Sequence, residues 1–102
     1  MTPQYKLIIS YDIAADKHEG YYRYVLGEFV PALRTMGLQM TSAWHVSYGN
    51  YPARMLEFVI ETREVWTKAT ATPRWKKLEE RLQSYTENYD RKLIPYKDGF
   101  QF

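Results

Sequence analysis

Apolar and polar residues alternate at the start of the chain. The residues at 5, 7, 9, 11 and 13 are apolar or aromatic, and most of those between them are polar. Because successive side chains of a strand point to opposite faces, this period of two predicts a β-strand over residues 5–13. Asp16, with Glu19 three residues later, has the capping-box arrangement that begins many helices.

The next segment has the spacing of an amphipathic helix. Pro31 lies inside it, and we expect its ring to crowd the carbonyl of Gly27 and kink the helix. Gly37 is expected to end it, since glycine readily adopts the left-handed backbone found there. The apolar stripe recurs at steps of three and four residues through Tyr22, Val25, Phe29, Leu33 and Met36.

Alternation returns in residues 38–48 and 54–62, which we predict to be strands. Gly49 and Asn50 form the turn between them, and Pro52 follows, so the pair is expected to be a hairpin. Unbroken alternation places Trp44 and Val46 on the core face of the sheet. The same core face is predicted to hold Leu7, Ile9, Leu56 and Phe58.

The last third of the chain predicts two helices and a strand. Thr62 can cap a short helix from Arg63 to Ala69, and Thr72-Pro73 can open a longer one, since proline is favoured in the first turn. The apolar stripe of the longer helix is Trp75, Leu78, Leu82 and Tyr85. Near Asn88 the pattern changes, which favours a fourth strand over Tyr89–Pro95. Two phenylalanines in the tail, Phe100 and Phe102, are expected to dock on this subunit or a partner.

The order strand, helix, strand, strand, helix, strand is typical of an α+β, ferredoxin-like βαββαβ sandwich. Right-handed crossovers place both helices on one face of an antiparallel sheet, and residues 1–102 leave room for a single domain. The other face mixes polar and apolar side chains, which suits the packing of a second sheet, and we expect a homodimer. That face is predicted to carry Ile8, Ser10, Asp12, Thr41, His45, Ser47, Met55, Glu57, Val59 and Glu61.

Composition narrows the range of functions. Fourteen Lys and Arg against twelve Asp and Glu leave a net charge of +2, too little and too interleaved for the basic face that nucleic acid requires. There is no cysteine, which excludes disulfides and thiolate chemistry. With no long apolar run, we expect a cytoplasmic protein that does not enter membranes. Aromatic residues make up 17% of the chain, and Tyr and Trp suit pockets and interfaces.

The layout resembles the dimeric α/β-barrel superfamily, in which two ferredoxin-like subunits pair their sheets. The resemblance rests on residues 24–37 with Phe29-Val30-Pro31, on Trp44, on residues 48–52 at the hairpin, and on Thr72-Pro73-Arg74-Trp75. It implies a cleft between helices and sheet. Relatives of this kind include antibiotic-biosynthesis-like monooxygenases, haem-degrading enzymes, polyketide cyclases and proteins without known activity, so the fold does not identify a reaction or a cofactor.

The aromatic residues supply the candidate ligand site. We predict that Tyr11, Tyr22, Trp44, Trp66 and Trp75 line a pocket for a small apolar or aromatic ligand. The alternative is that they are ordinary core residues.

His45 and Asp12 are the candidate catalytic residues of a cofactor-free monooxygenase or cyclase, each as a proton acceptor. The alternatives are a hydrogen-bonded interface histidine and a turn-capping carboxylate. No metal-ligand spacing is present. Tyr11-Asp12-Ile13 also resembles the small CRISPR-associated nucleases, in which a strand-end Asp from each subunit holds a metal. An RNA-recognition module, which has the same element order, is disfavoured because Glu57 and Glu61 would repel phosphate.

Overall fold

The computed structural model describes residues 3–48 and 51–97. One sheet has the strand order β2 (Leu38–Tyr48), β3 (Tyr51–Ile60), β1 (Tyr5–Ile13), β4 (Thr86–Pro95), and each neighbouring pair is antiparallel. This is the predicted α+β, ferredoxin-like architecture. The elements are β1 (Tyr5–Ile13), α1 (His18–Tyr24), a π turn (Val25–Phe29), α2 (Val30–Thr35), β2 (Leu38–Tyr48), β3 (Tyr51–Ile60), α3 (Arg63–Thr70), α4 (Pro73–Ser84) and β4 (Thr86–Pro95).

The core lies between the sheet and the helices. Central strands β1 and β3 keep the predicted alternation, with Leu7 opposite Phe58 and Ile9 opposite Leu56. Each of these four side chains is at most 2% exposed. The helices cover this face with Tyr21, Tyr24, Val25, Phe29, Leu33, Ala69, Trp75 and Leu82. None of the helices in residues 3–48 and 51–97 is long and apolar enough to cross a membrane.

The first helical segment runs continuously through α1, the π turn and α2. The Val30 N–H donates to the carbonyl of Val25, five residues back, instead of the usual four. Pro31 follows directly, and a wider turn is a common adjustment where a regular helix ladder is interrupted. Gly37 ends the segment as predicted, with a φ of +92°. A Cβ there would lie 2.7 Å from Val65 Cγ1, so a side chain would meet both strain and a clash.

Two of the three predicted helix starts are confirmed. The hydroxyls of Thr62 and Thr72 accept hydrogen bonds from the N–H groups of Val65 and Trp75, at 3.3 and 3.2 Å. The prediction for Asp16 is wrong. The chain first makes a turn in which the Lys17 N–H donates to Ala14 O at 3.0 Å, and α1 then begins without a side-chain cap.

A β-bulge in β2 overturns the predicted faces of that strand. Met40 pairs with Phe58 and Ser42 with Glu57, so Thr41 is an extra residue, and the side-chain alternation reverses after it. Trp44, opposite Met55, therefore lies on the face away from the helices, which we call the open face. His45 lies on the helix side, which is the opposite of its predicted position.

The strand ends also differ from the predictions. β3 begins at Tyr51, not Arg54, and includes Pro52, while β4 begins three residues before Tyr89. A register shift between β1 and β4 adds an extra residue near Asn88, whose φ is +56°. The predicted turn at Gly49 and Asn50, the side chains of Val46 and Ser47, and the tail phenylalanines lie outside the described part of the chain.

Candidate functional site

A cleft of about 240 Å³ lies between the first helical segment and the sheet. We call it the Arg54 cleft. Most of its lining side chains are apolar, and one arginine is the polar exception, which is the usual composition of a small-molecule site. The lining residues are Tyr21, Tyr22, Val25, Leu26, Val30, Met40, Ala43, Arg54 and Leu56.

Arg54 lies on the helix face of β3, in alternation with the core residues Leu56 and Phe58. Its guanidinium lies 5.2 Å from the centre of the Tyr22 ring, and an Nη donates to the Tyr22 hydroxyl. The Arg54 Nε is buried and has no hydrogen-bond partner in the structure described. A buried donor without a partner is costly, and most buried polar atoms have one.

A pair of tyrosine hydroxyls adjoins the arginine. The oxygens of Tyr11 and Tyr21 lie 2.5 Å apart, and their rings meet edge to face at 5.7 Å. Burial raises the pKa of both hydroxyls above the ordinary tyrosine value, and the Arg54 charge opposes this only partly. Both groups are therefore neutral hydrogen-bonding groups at physiological pH.

The π turn forms part of the cleft wall. It carries Val25 and Leu26, and Val30 follows it directly. Leu26 is 67% exposed and Tyr22 is 39% exposed, both large apolar side chains at the cleft. π turns within α-helices occur frequently at functional sites, which agrees with the position of this one.

His45 is the register partner of Arg54 across the β2–β3 pair. Its side chain is exposed, and the bulge at Thr41 places it on the same face as the arginine. Arg54 is not among the site residues that the sequence predicts. The available signal was its alternation with Leu56 and Phe58, which placed a charged side chain on an otherwise apolar strand face.

Two of the predicted pocket residues, Trp66 and Trp75, belong to a separate group that also contains Glu79, Tyr89 and Arg91. We call this group the tryptophan cluster. Trp66 and Trp75 meet edge to face at 5.6 Å, and the Arg91 guanidinium lies 5.5 Å from each ring. The Arg91 Nε is 3.0 Å from a Glu79 carboxylate oxygen, and the Tyr89 hydroxyl donates to the same oxygen at 2.7 Å. The structure thus brings Tyr11 and Tyr22 together with Arg54, but not Trp66, Trp75 or Trp44.

Asp12 lies at the end of β1 on the open face. Its carboxylate accepts a hydrogen bond of 2.8 Å from the Asn88 side-chain amide. Within the described ranges, no three His, Cys, Asp or Glu side chains are grouped as a metal site would require.

Two larger cavities are less suited to bind a specific ligand. One, of about 330 Å³, has Arg34 and Glu61 in its lining, and another, of about 440 Å³, is a groove between α2 and α4. Across residues 3–48 and 51–97, the unsatisfied buried side-chain atom belongs to Arg54, which lines neither of these cavities. The Arg54 cleft is therefore the candidate site.

No family model and no curated protein matches the chain. Among solved structures, a NIPSNAP family protein from Agrobacterium tumefaciens is similar, with a TM-score of 0.70 and 15% identity over 96% of this chain and 90% of that one. A monooxygenase from the gene ActVA-Orf6 of Streptomyces coelicolor, in complex with nanaomycin D, gives a TM-score of 0.68 and 13% identity over 97% and 92%.

A third similar structure is a dimeric ferredoxin-like protein from an uncultured marine organism. Its TM-score is 0.64, at 12% identity over 99% of this chain and 94% of that one. At identities this low, shared structure establishes the fold and leaves the activity open. The chain therefore has the ferredoxin-like fold found in NIPSNAP, monooxygenase and dimeric ferredoxin-like proteins.

Proposed function

We propose that this protein is a homodimer that binds a small aromatic ligand in the Arg54 cleft of each subunit. The observation that carries the proposal is the unpartnered, buried Nε of Arg54 beside an apolar cavity. Buried polar atoms without partners call for a specific explanation, and a bound ligand supplies one.

The size of the cleft limits the ligand. Its volume of about 240 Å³ lies below the range of roughly 300–1,000 Å³ for drug-sized ligands. A molecule of one or two rings fits this space. The aromatic walls formed by Tyr21 and Tyr22, whose rings meet at 5.1 Å, favour a flat ring over a flexible chain. The structural neighbour that was solved with nanaomycin D supports a ligand-binding role for this fold.

Filling the cleft tests this proposal. Ala43 lines it, so Ala43→Trp should block the space and weaken binding of 2-naphthoate, a two-ring probe, by about tenfold or more. Ala71→Trp, at an exposed position after α3, is the matched control and should bind as the wild type does. Isothermal titration calorimetry measures both. Equal affinities for the wild type and Ala43→Trp would show that the probe does not occupy the cleft.

The proposed dimer pairs the open faces of two subunits. This face carries Met55 and Val59, which are half-buried, and Trp44 lies in the next strand. Beside them, Ile8 and the ion pair of Lys6 and Glu57, whose atoms lie 3.2 Å apart, are already largely buried within the single subunit. Apolar side chains with one tryptophan are typical of an interface core. A structurally similar protein is described as dimeric, which supports self-association of this chain.

Sedimentation velocity tests the pairing. Met55→Glu adds a charge to the open face and should shift the protein from dimer to monomer at micromolar concentration. Leu26→Glu makes the same kind of change on the helix side, where Leu26 is 67% exposed, and should leave the dimer intact. A monomeric wild type, or a dimer that only Leu26→Glu disrupts, would contradict open-face pairing.

A cofactor-free enzyme is the second candidate, and the position of His45 opposite Arg54 favours it. In this scheme the His45 imidazole takes the proton from a ligand hydroxyl, and Arg54 stabilises the resulting oxyanion. Asp12, on the open face, takes no part. Bound 1-naphthol should then show the absorbance of naphtholate at a lower pH than free 1-naphthol does. A spectrum unchanged by His45→Ala would remove the histidine from the scheme.

A further inference from the structure

We infer that the ligand of the Arg54 cleft is an aromatic acid whose anionic oxygen replaces the Tyr22 hydroxyl on Arg54. This inference rests on the proposed ligand-binding function and names the chemical class of the ligand. It starts from two observations: no acidic side chain in residues 3–48 and 51–97 forms an ion pair with Arg54, and the Tyr22 phenol lies against its guanidinium.

The charge balance around Arg54 is the first observation. Four ion pairs occur in the described residues, and none of them includes Arg54. Their basic partners are Lys6, Arg23, Arg81 and Arg91. The hydrogen bond from Arg54 to Tyr22 goes to a neutral hydroxyl. The guanidinium is half-buried in a mostly apolar cleft, where an anion would supply both a counter-charge and an acceptor for its buried Nε.

The position of Tyr22 is the second observation. The guanidinium lies 5.2 Å from the ring centre, an Nη donates to the hydroxyl, and the Tyr22 side chain is 39% exposed. A phenol held in this way has the two features that the cleft would recognise in a ligand, a flat ring and an oxygen acceptor. Because the side chain is partly exposed, it can turn toward solvent, which would free the Arg54 Nη that now donates to its hydroxyl.

A carboxylate or phenolate makes stronger contacts than the Tyr22 hydroxyl does. The bond to Tyr22 already has an ionised donor, and an anionic acceptor adds to it the Coulomb attraction of an ion pair, which a hydroxyl acceptor lacks. The planar guanidinium can also present Nε–H together with an Nη–H to the two oxygens of one carboxylate. The ligand would thus satisfy the donor that the protein leaves unpaired.

Two isosteric probes separate the charge from the ring. We expect 2-naphthoate to bind the wild type about tenfold or more tightly than neutral 2-naphthamide. Arg54→Met should reduce this ratio to less than about threefold. Arg63→Met removes the same charge from the exposed start of α3 and should preserve the ratio. Tyr22→Phe, which keeps the ring and deletes the competing hydroxyl, should tighten naphthoate binding severalfold.

The outcomes distinguish the two proposals. If naphthoate and naphthamide bind the wild type equally, the cleft accepts an aromatic ring but the acidic class is wrong. If the ratio persists in Arg54→Met, or if Tyr22→Phe weakens naphthoate binding, the assigned contact is also wrong. If neither probe binds the wild type, the ligand-binding function fails together with this inference.

Discussion

Two arginines on the helix side of the sheet lie against aromatic rings, and they differ in whether the Nε of the guanidinium has a partner. Arg91 lies over Trp66 and Trp75, and its Nε has the Glu79 carboxylate at 3.0 Å. Arg54 lies over Tyr22, and its Nε has no partner in the structure described. A satisfied arginine stabilises packing, whereas an unsatisfied one beside a cavity indicates a binding site.

Tyr11 joins the two regions. Tyr11 stacks on Tyr89 of the tryptophan cluster at 6.4 Å and shares a hydrogen bond with Tyr21 of the Arg54 cleft. The two regions nevertheless have different roles. We expect the tryptophan cluster to determine stability and the Arg54 cleft to determine ligand binding, and the four predictions below test this division.

Trp75→Ala should have the largest effect on stability. The side chain is 3% exposed, and truncating a buried aromatic residue of this size typically costs about 3–5 kcal/mol. Tyr22→Ala, at a side chain that is 39% exposed, should cost less than about 1 kcal/mol. Urea unfolding followed by circular dichroism, at one protein concentration, measures both. A larger loss in Tyr22→Ala would reverse the proposed roles of the two regions.

Glu79→Ala should have the next largest effect. The change removes the acceptor for both the Arg91 Nε and the Tyr89 hydroxyl, and leaving partly buried donors unpaired costs about 1–3 kcal/mol. Glu79→Gln keeps an oxygen acceptor and should recover part of this loss. The free energy of unfolding is again the measurement. If Glu79→Ala costs no more than the change of exposed Glu80 to Ala, the network does not contribute to stability.

High pH should destabilise the protein through its buried tyrosines. Burial raises the pKa of Tyr89, and the hydrogen bond to Glu79 adds to the effect. Burial also raises the pKa of Tyr24 to about 12. Since tyrosines in the unfolded chain ionise near pH ~10, the unfolded state loses protons first, and stability falls as the pH rises above that value.

Tyr89→Phe makes this prediction quantitative. Removing one such tyrosine should reduce the fall in the free energy of unfolding by about 1 kcal/mol between pH 10 and 11, with a slope that approaches about 1.4 kcal/mol per pH unit at higher pH. Urea unfolding at pH 9, 10 and 11 in the two proteins tests it. Identical pH dependence in wild type and Tyr89→Phe would mean that the Tyr89 hydroxyl ionises in the folded state as easily as in the unfolded one.

Arg54→Met should have the smallest effect on stability. The variant loses the hydrogen bond to Tyr22 but also removes an unpaired buried donor, and these changes oppose each other. We expect the free energy of unfolding to change by less than about 1 kcal/mol in either direction. A loss as large as that of Glu79→Ala would show that Arg54 has a structural role like that of Arg91.

Local signals in the sequence predicted much of the fold. Thr62 and Thr72 were identified as helix caps because a cap depends on a side chain and a backbone N–H only three residues apart. Gly37 was identified because its backbone conformation favours glycine. The strands of the sheet followed from alternation, and their order along the chain gave the topology.

The faces of β2 could not be predicted in this way. The bulge at Thr41 adds one residue between paired positions, and nothing in the alternation of residues 38–48 marks it. One extra residue moved Trp44 to the open face and His45 to the helix face. The predicted pocket therefore combined side chains from opposite faces of the sheet.

The candidate site was predicted only in part. The aromatic character of Tyr11 and Tyr22 predicts their place in a pocket. Arg54 is the first residue of a predicted strand, and its residue type alone does not predict a site there. The role proposed for Arg54 depends on the absence of a hydrogen-bond partner for its Nε in the structure described, and this can be seen only in the folded chain. The sequence likewise did not separate Arg91 from Arg54, because the position of Glu79 beside Arg91 depends on how α4 packs against β4.

The central claim is that Arg54, and not Arg91, contacts a ligand. Arginine Nε–H signals in a nitrogen-15 NMR spectrum, assigned by the Arg54→Met and Arg91→Met variants, report on both side chains in one sample. During titration with 2-naphthoate, we expect the Arg54 Nε–H signal to shift along a saturating curve while the Arg91 signal stays in place. An Arg54 signal that does not move while naphthoate binds elsewhere, or equal shifts of both signals, would contradict the account.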